Sequence, residues 1–157
     1  MKRKLSLLTL AAALCAGLAF TTAAAEKAGG QAETKHPHKG GPKGGRLLET
    51  EPHAEFFIEK DKSVTVTFYT DDLKPVPVAE QVVTVQADAK GGKAKLEFEK
   101  SGDVLKSKTK LPDGDGYNLV VQVRAKSDAK PQNFRFTLDL KTCDECKRAE
   151  YACICEH

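Results

Sequence analysis

From Arg46 to Leu140 the apolar residues recur at every second position, and almost nowhere at the spacing of a helix. Ala54, Phe56 and Ile58 alternate with His53, Glu55 and Glu59, and Val64, Val66 and Phe68 with Ser63, Thr65, Thr67 and Tyr69. Val83, Val85 and Ala87 follow, then Ala94, Leu96 and Phe98 among Lys93, Lys95, Glu97 and Glu99. Leu105 and Leu111 bracket a more polar stretch. Tyr117, Leu119, Val121 and Val123 alternate with Asn118, Gln122 and Arg124, and Phe134, Phe136 and Leu138 with Arg135, Thr137 and Asp139. A strand sends successive side chains to opposite faces, so this pattern demands strands with one dry and one wet face. Turn signals separate them: Asp61-Lys62, Lys74-Pro75, Gly91-Gly92, Ser101-Gly102-Asp103, 112–116 and Lys130-Pro131. The first is short enough for a tight hairpin. The expectation is an all-β domain over 46–140, an antiparallel β-sandwich of the immunoglobulin-like kind. Asp113-Gly114-Asp115-Gly116-Tyr117 fits the corner of such a sandwich, where a Tyr hydroxyl bonds back to the backbone; a Gly-rich turn before a buried Tyr reads the same way.

The first residues have another purpose. Lys2, Arg3 and Lys4 precede an uncharged apolar run to Phe20, and Ala23-Ala24-Ala25 offers the small side chains a signal peptidase reads. The run is shorter than the ~20 residues of a spanning helix. Cys15 follows Leu14, where a lipid-modified cysteine wants a small neighbour. Residues 1–25 therefore read as a cleaved leader, which leaves no transmembrane anchor and places the mature chain in a bacterial periplasm. The leader takes with it 3 of the 25 Lys and Arg and none of the 22 Asp and Glu, so the mature chain is formally neutral. Nucleic-acid binding, which needs a basic patch, has no support. Residues 26–45 are rich in Lys, Gly and His and hold no core-former larger than Ala, so they read as a disordered arm.

The alternation stops at Lys141. Thr142 is placed to cap a helix, with Glu145 three residues on, and 141–157 reads as a short Cys-rich C-terminal helix ending near Cys153. Four of the five cysteines lie here as C-x2-C-x6-C-x-C: Cys143, Cys146, Cys153 and Cys155, with His157 after the same one-residue gap. At ~100° per residue the first three share a helix face, and Cys155 and His157 fold back. Tyr151 and Ile154 would pack locally. Four soft ligands in thirteen positions suit a tetrahedral zinc site or a lower-coordinate copper(I) site. Two disulfides fit as well, most simply the nested pairs Cys143–Cys155 and Cys146–Cys153, and an oxidising compartment favours them. A redox-active Cys143-x-x-Cys146 would need an α/β scaffold that this chain does not show.

Histidine makes a second constellation. His36 and His38 lie on the arm, and His53 opens a strand beside Glu55. Such imidazoles capture transition metals weakly, or serve only as solubilising polar groups, and His53 with Glu55, on one wet face, reads either as a ligand pair or as a rim pair. No catalytic set is present: no G-x-S-x-G, no H-E-x-x-H, and no phosphate-cradling Gly loop at a strand-to-helix junction.

The stretch GPKGGRLLETEPHAEFFIE (41–59) with VTVTFYTDDLKPVPV (64–78) resembles segments of small periplasmic proteins that accompany RND-type heavy-metal efflux pumps. The matching features are Gly44-Gly45, His53-Ala54-Glu55 and Asp72-Leu73-Lys74-Pro75-Val76. The strands from His53 to Leu140, with Gly116-Tyr117, also resemble the YtkA-like and FixH-like immunoglobulin-type domains of bacterial envelopes. The resemblance implies metal traffic beside an envelope efflux complex; the cysteine tail has no counterpart in it. The expected function is a non-enzymatic, metal-binding accessory protein. The alternative is a disulfide-stapled interaction module that never meets metal.

Overall fold

A computed structural model describes residues 39–155. The expected leader, the arm as far as His38, and His157 lie outside those residues. Nine strands follow in order: β1 (Arg46–Leu48), β2 (His53–Ile58), β3 (Val64–Tyr69), β4 (Pro75–Val76), β5 (Val82–Ala89), β6 (Gly92–Ser101), β7 (Val104–Ser107), β8 (Asn118–Arg124) and β9 (Gln132–Thr137). Every pairing is antiparallel. Each strand read from alternation is present, and β1 and β4 are additions too short to show a period.

The strands lie in one hydrogen-bonded path, β1-β2-β3-β7-β6-β5-β8-β9, with β4 on β3. Strand β6 is the corner. Residues 92–97 pair with β5 and residues 98–101 with β7, so one strand serves both halves of the sheet. The halves face each other across the core. Phe56, Val66, Phe68 and Leu105 come from one, and Val85, Leu96, Leu119, Val121 and Phe136 from the other. The curl brings the two ends of the path together: the Phe56 and Phe136 rings meet edge-on at 5.5 Å, and the Arg46 guanidinium sits 4.8 Å above Phe136. Tyr117 makes the expected corner bond, its hydroxyl donating to the Pro112 carbonyl at 2.9 Å. Among the described residues no helix is long and apolar enough to cross a membrane.

Two expectations change. The first concerns the wet face of β2 and β3. Glu55, Thr65, Thr67 and Tyr69 alternate with the core residues as expected, yet all four are buried, Glu55 completely. Over Glu55 and Thr67 the cover is the segment 40–45, read from composition as part of a flexible arm. It is ordered from Lys39 and joins the sheet through a Gly40–Arg46 bridge, so the domain starts earlier than Arg46. Glu55 holds it there. Its Oε1 accepts the Lys43 and Gly45 amides, both at 2.8 Å, and its Oε2 accepts the Tyr69 hydroxyl at 2.8 Å. Lys43 Nζ donates to Thr67 Oγ1. A Cβ at Gly41 would run into the Glu55 carboxyl, and one at Gly45 into the Phe56 carbonyl, so only glycine permits the approach. Hydrogen bonding to a buried charge, rather than apolar area, orders this loop.

The second change is at the C-terminus. No α-helix forms over 142–153. Thr142 bridges to Ala149, and one 3-10 turn spans Glu150–Ala152. The Lys147 amide does bond back to the Cys143 carbonyl at 3.0 Å, as in a helical turn. Lys147 itself is left-handed, φ 60, which ends any helix, and the Cys143 amide turns to the Arg148 carbonyl at 2.8 Å. The segment lies across the meeting point of the sheet ends. The Tyr151 ring packs against Phe56 and Phe136 at 6.3 and 6.4 Å. Its hydroxyl accepts the Ile58 amide, its amide donates to the Asp139 carbonyl, and its carbonyl accepts from Arg46.

Candidate metal centre

The four cysteines come from two short pieces of this segment. Cys143 and Cys146 lie at the two ends of a tight turn that closes through Lys147 and Arg148. Cys153 and Cys155 follow the 3-10 turn, whose Tyr151 is locked into the core. The pieces are held face to face by the Thr142–Ala149 bridge and by the Glu150 amide donating to the Lys141 carbonyl at 2.8 Å. The second turn therefore returns the chain to the first without a helix.

All four sulfurs lie within 4.8 Å of one another. Cys146 and Cys153 Sγ stand 3.6 Å apart, Cys143 and Cys155 Sγ 3.9 Å apart. A tetrahedron of sulfurs with metal–sulfur bonds of ~2.3 Å has edges of about 3.8 Å. A disulfide would need about 2.05 Å. The pairs are those of the nested disulfide scheme; none of the four cysteines is bridged, and the cluster could hold a metal ion. Cys143 is buried and the other three are half-buried, so the cluster is rooted in the core and open on its outer side.

Electrostatics distinguish the sulfurs. The Ile154 and Arg148 amides both point at Cys146 and, with smaller help from its cysteine neighbours, lower its pKa to about 6. Burial raises Cys153, against which the Cys155 amide donates at 3.4 Å. Burial also raises Cys155, strengthened by its contact with Glu145. Packed this closely, the thiols share one negative charge readily and several only if a cation is present. Near pH 7.5 the metal-free cluster holds Cys146 as thiolate and keeps the protons of Cys153 and Cys155. An ion must displace at least those two protons. Zinc affinity is therefore expected to fall at least about a hundredfold when the pH drops by one unit, from 8 to 7. Competition with a chromophoric chelator measures this, and a slope of less than two protons per ion would contradict the arrangement.

The other candidate residues lie elsewhere. Glu55 has both oxygens engaged under the glycine loop and is not a member of the cluster. His53 stands on β2 with Nε2 3.5 Å from Asp71 Oδ1, beside a cleft of about 410 Å³ lined also by Glu49, Glu51 and Gln132. His36, His38 and His157 lie outside the described residues. Ile154, expected to pack, is 38% exposed and contributes its amide instead. The residue that sequence reasoning missed is Arg148. Its amide faces Cys146, and its Nη1 donates to the Gly41 carbonyl at 3.1 Å and reaches Gly45 O at 3.4 Å, tying the cysteine turn to the glycine loop. An Arg on a polar stretch carries no local signal of such a partner.

Fold and cluster together define an antiparallel all-β domain with a four-cysteine group able to hold a metal ion. Comparison with protein-family models, with curated proteins and with solved structures gave no match.

Proposed function

We propose that the protein is an exported, non-enzymatic metal-binding protein that holds one zinc-class ion through Cys143, Cys146, Cys153 and Cys155. The observation that carries this reading is the convergence of four sulfurs within 4.8 Å of one another, two of the pairs at separations close to a tetrahedral edge. Copper(I), which prefers fewer thiolates, would leave part of the set unused. The leader pattern of residues 1–25 supports a periplasmic location. The resemblance of 41–59 and 64–78 to efflux-associated proteins supports a role in metal traffic beside an envelope efflux or delivery complex. For the fold, the path supports an immunoglobulin-like sandwich. Strands β2-β3-β7-β6 correspond to one four-stranded sheet of that architecture and β5-β8-β9 to its three-stranded partner, with Tyr117 at the corner.

The rival is the stapled interaction module, favoured by the fact that the cysteines already lie as two neighbouring pairs. Native mass spectrometry, metal analysis and thiol counting on protein taken from the periplasm separate the two. One zinc per chain, and four thiols titratable once the zinc is chelated, are expected. A mass lower by four hydrogens, with no adduct after reduction and added Zn(II), would overturn the metal reading.

A further inference from the structure

We infer that the site releases its ion on oxidation, through a disulfide that forms first between Cys146 and Cys153. The inference rests on the four-thiolate reading above and concerns what ends the binding. Three observations carry it. Cys146 and Cys153 are the nearer pair, 3.6 Å against 3.9 Å. Both are half-buried, whereas Cys143, in the other pair, is 2% exposed and packed on the core. Both also sit at turn ends with no strand pairing of their own, so drawing their sulfurs together to about 2.05 Å displaces loop rather than sheet.

The oxidant is a peroxide, and the step balances. One thiolate of the pair attacks a peroxide oxygen; the O–O bond breaks, hydroxide leaves, and a sulfenic acid forms. The second sulfur attacks that sulfur; the S–O bond breaks, a second hydroxide leaves, and the S–S bond forms. Two thiolates lose two electrons in total, and one hydrogen peroxide becomes two hydroxide ions. Two of the four metal bonds are lost. Cys143 and Cys155 remain as a two-thiolate remnant that cannot close a tetrahedron, and Zn(II) departs. The cluster thus acts as a zinc store whose contents are discharged by oxidant.

The test loads the reduced protein with one Zn(II), adds hydrogen peroxide stepwise, and follows zinc with a chromophoric chelator while mass spectrometry maps the linked peptides. One zinc released per two hydrogens lost, with Cys146 linked to Cys153 in the first product, is the expected result. Release of zinc only after four hydrogens are lost, a first link between Cys143 and Cys155, or zinc retained under peroxide would each overturn the inference and leave the binding reading intact. Failure of the reduced protein to take up zinc would overturn both. In Cys155→Ser the Cys146–Cys153 link should still form at a rate within about twofold of the parent. In Cys153→Ser the first linkage should form more slowly than in Cys155→Ser, because Cys146 has lost its nearest sulfur, at 3.6 Å, and the remaining sulfurs stand farther off. Equal rates in these two variants would also overturn it.

Discussion

Replacing Cys146 with Ser is expected to weaken zinc binding about 10²–10³-fold, since a structural zinc site gains ~10–16 kcal/mol from four ligands and each therefore supplies roughly a quarter. Cys146 is the informative choice. It carries the amide bonds from Ile154 and Arg148 and sits in the turn rather than in the core, so its loss removes a ligand without opening a cavity. Cys143→Ser would combine the lost ligand with a buried hydroxyl, because Cys143 is only 2% exposed. In the parent, zinc should also stabilise the fold by mass action, by about 2.7 kcal/mol at a hundredfold excess over the dissociation constant. That gain should vanish in Cys146→Ser. The coupling runs through Tyr151, two residues before Cys153, whose hydroxyl accepts the Ile58 amide. Hydrogen exchange at Ile58 is the local readout: chelating zinc from the parent should speed it. Unchanged exchange, with unchanged zinc affinity in the variant, would remove the cluster as the binding site.

Glu55→Ala is expected to be strongly destabilising, costing about 3–5 kcal/mol. The carboxylate is fully buried and is the partner of the Lys43 and Gly45 amides and the Tyr69 hydroxyl. Alanine leaves all three donors in a dry place. Water cannot compensate unless the glycine loop lifts away, which would also release the Arg148 contacts to Gly41 and Gly45. Glu55→Gln separates the causes. An amide oxygen can still accept both backbone donors, and the Tyr69 hydroxyl can turn to accept from the amide nitrogen. Its cost should be nearer 1–2 kcal/mol, roughly that of losing charge from the bonds. Urea unfolding of the three proteins tests this. Equal losses for Ala and Gln would mean that the carboxylate charge, not its role as acceptor, holds the loop.

Much of the fold could be read from alternation because β5 and β8 bury one face and hydrate the other, and a period of two is then unmistakable. The reading failed where burial comes from outside the sheet. Thr65, Thr67 and Tyr69 are polar or half-polar at alternate positions, the usual mark of a wet face. Over Thr67 and the neighbouring Glu55 lies a loop of glycine, proline and lysine whose composition announces flexibility, and the acceptor that orders it lies ten residues away at Glu55. No local window contains both. The cysteine group was legible from spacing alone, since four thiols so close in sequence can hardly avoid one another. Its scaffold was not. Thr142 and Glu145 satisfy the local rule for a helix start, but the left-handed Lys147 and the Tyr151 anchor, a tertiary contact, decide the path.

The contacts that join the two ends of the sheet span most of the chain. Tyr151 reaches Ile58 across 93 residues, and Arg148 reaches Gly41 across 107. Closing so long a loop is costly in chain entropy and comes late, whereas the β5–β6 and β6–β7 hairpins are local and form early. A chain in which this segment has not yet docked therefore holds β1, β2 and the glycine loop without their final cover. Loss of residues 141–155 to a protease would leave every strand present but the seam unsealed. The 141–155 segment thus works as the clasp of the sheet: the seam closes only once Arg148 and Tyr151 have docked.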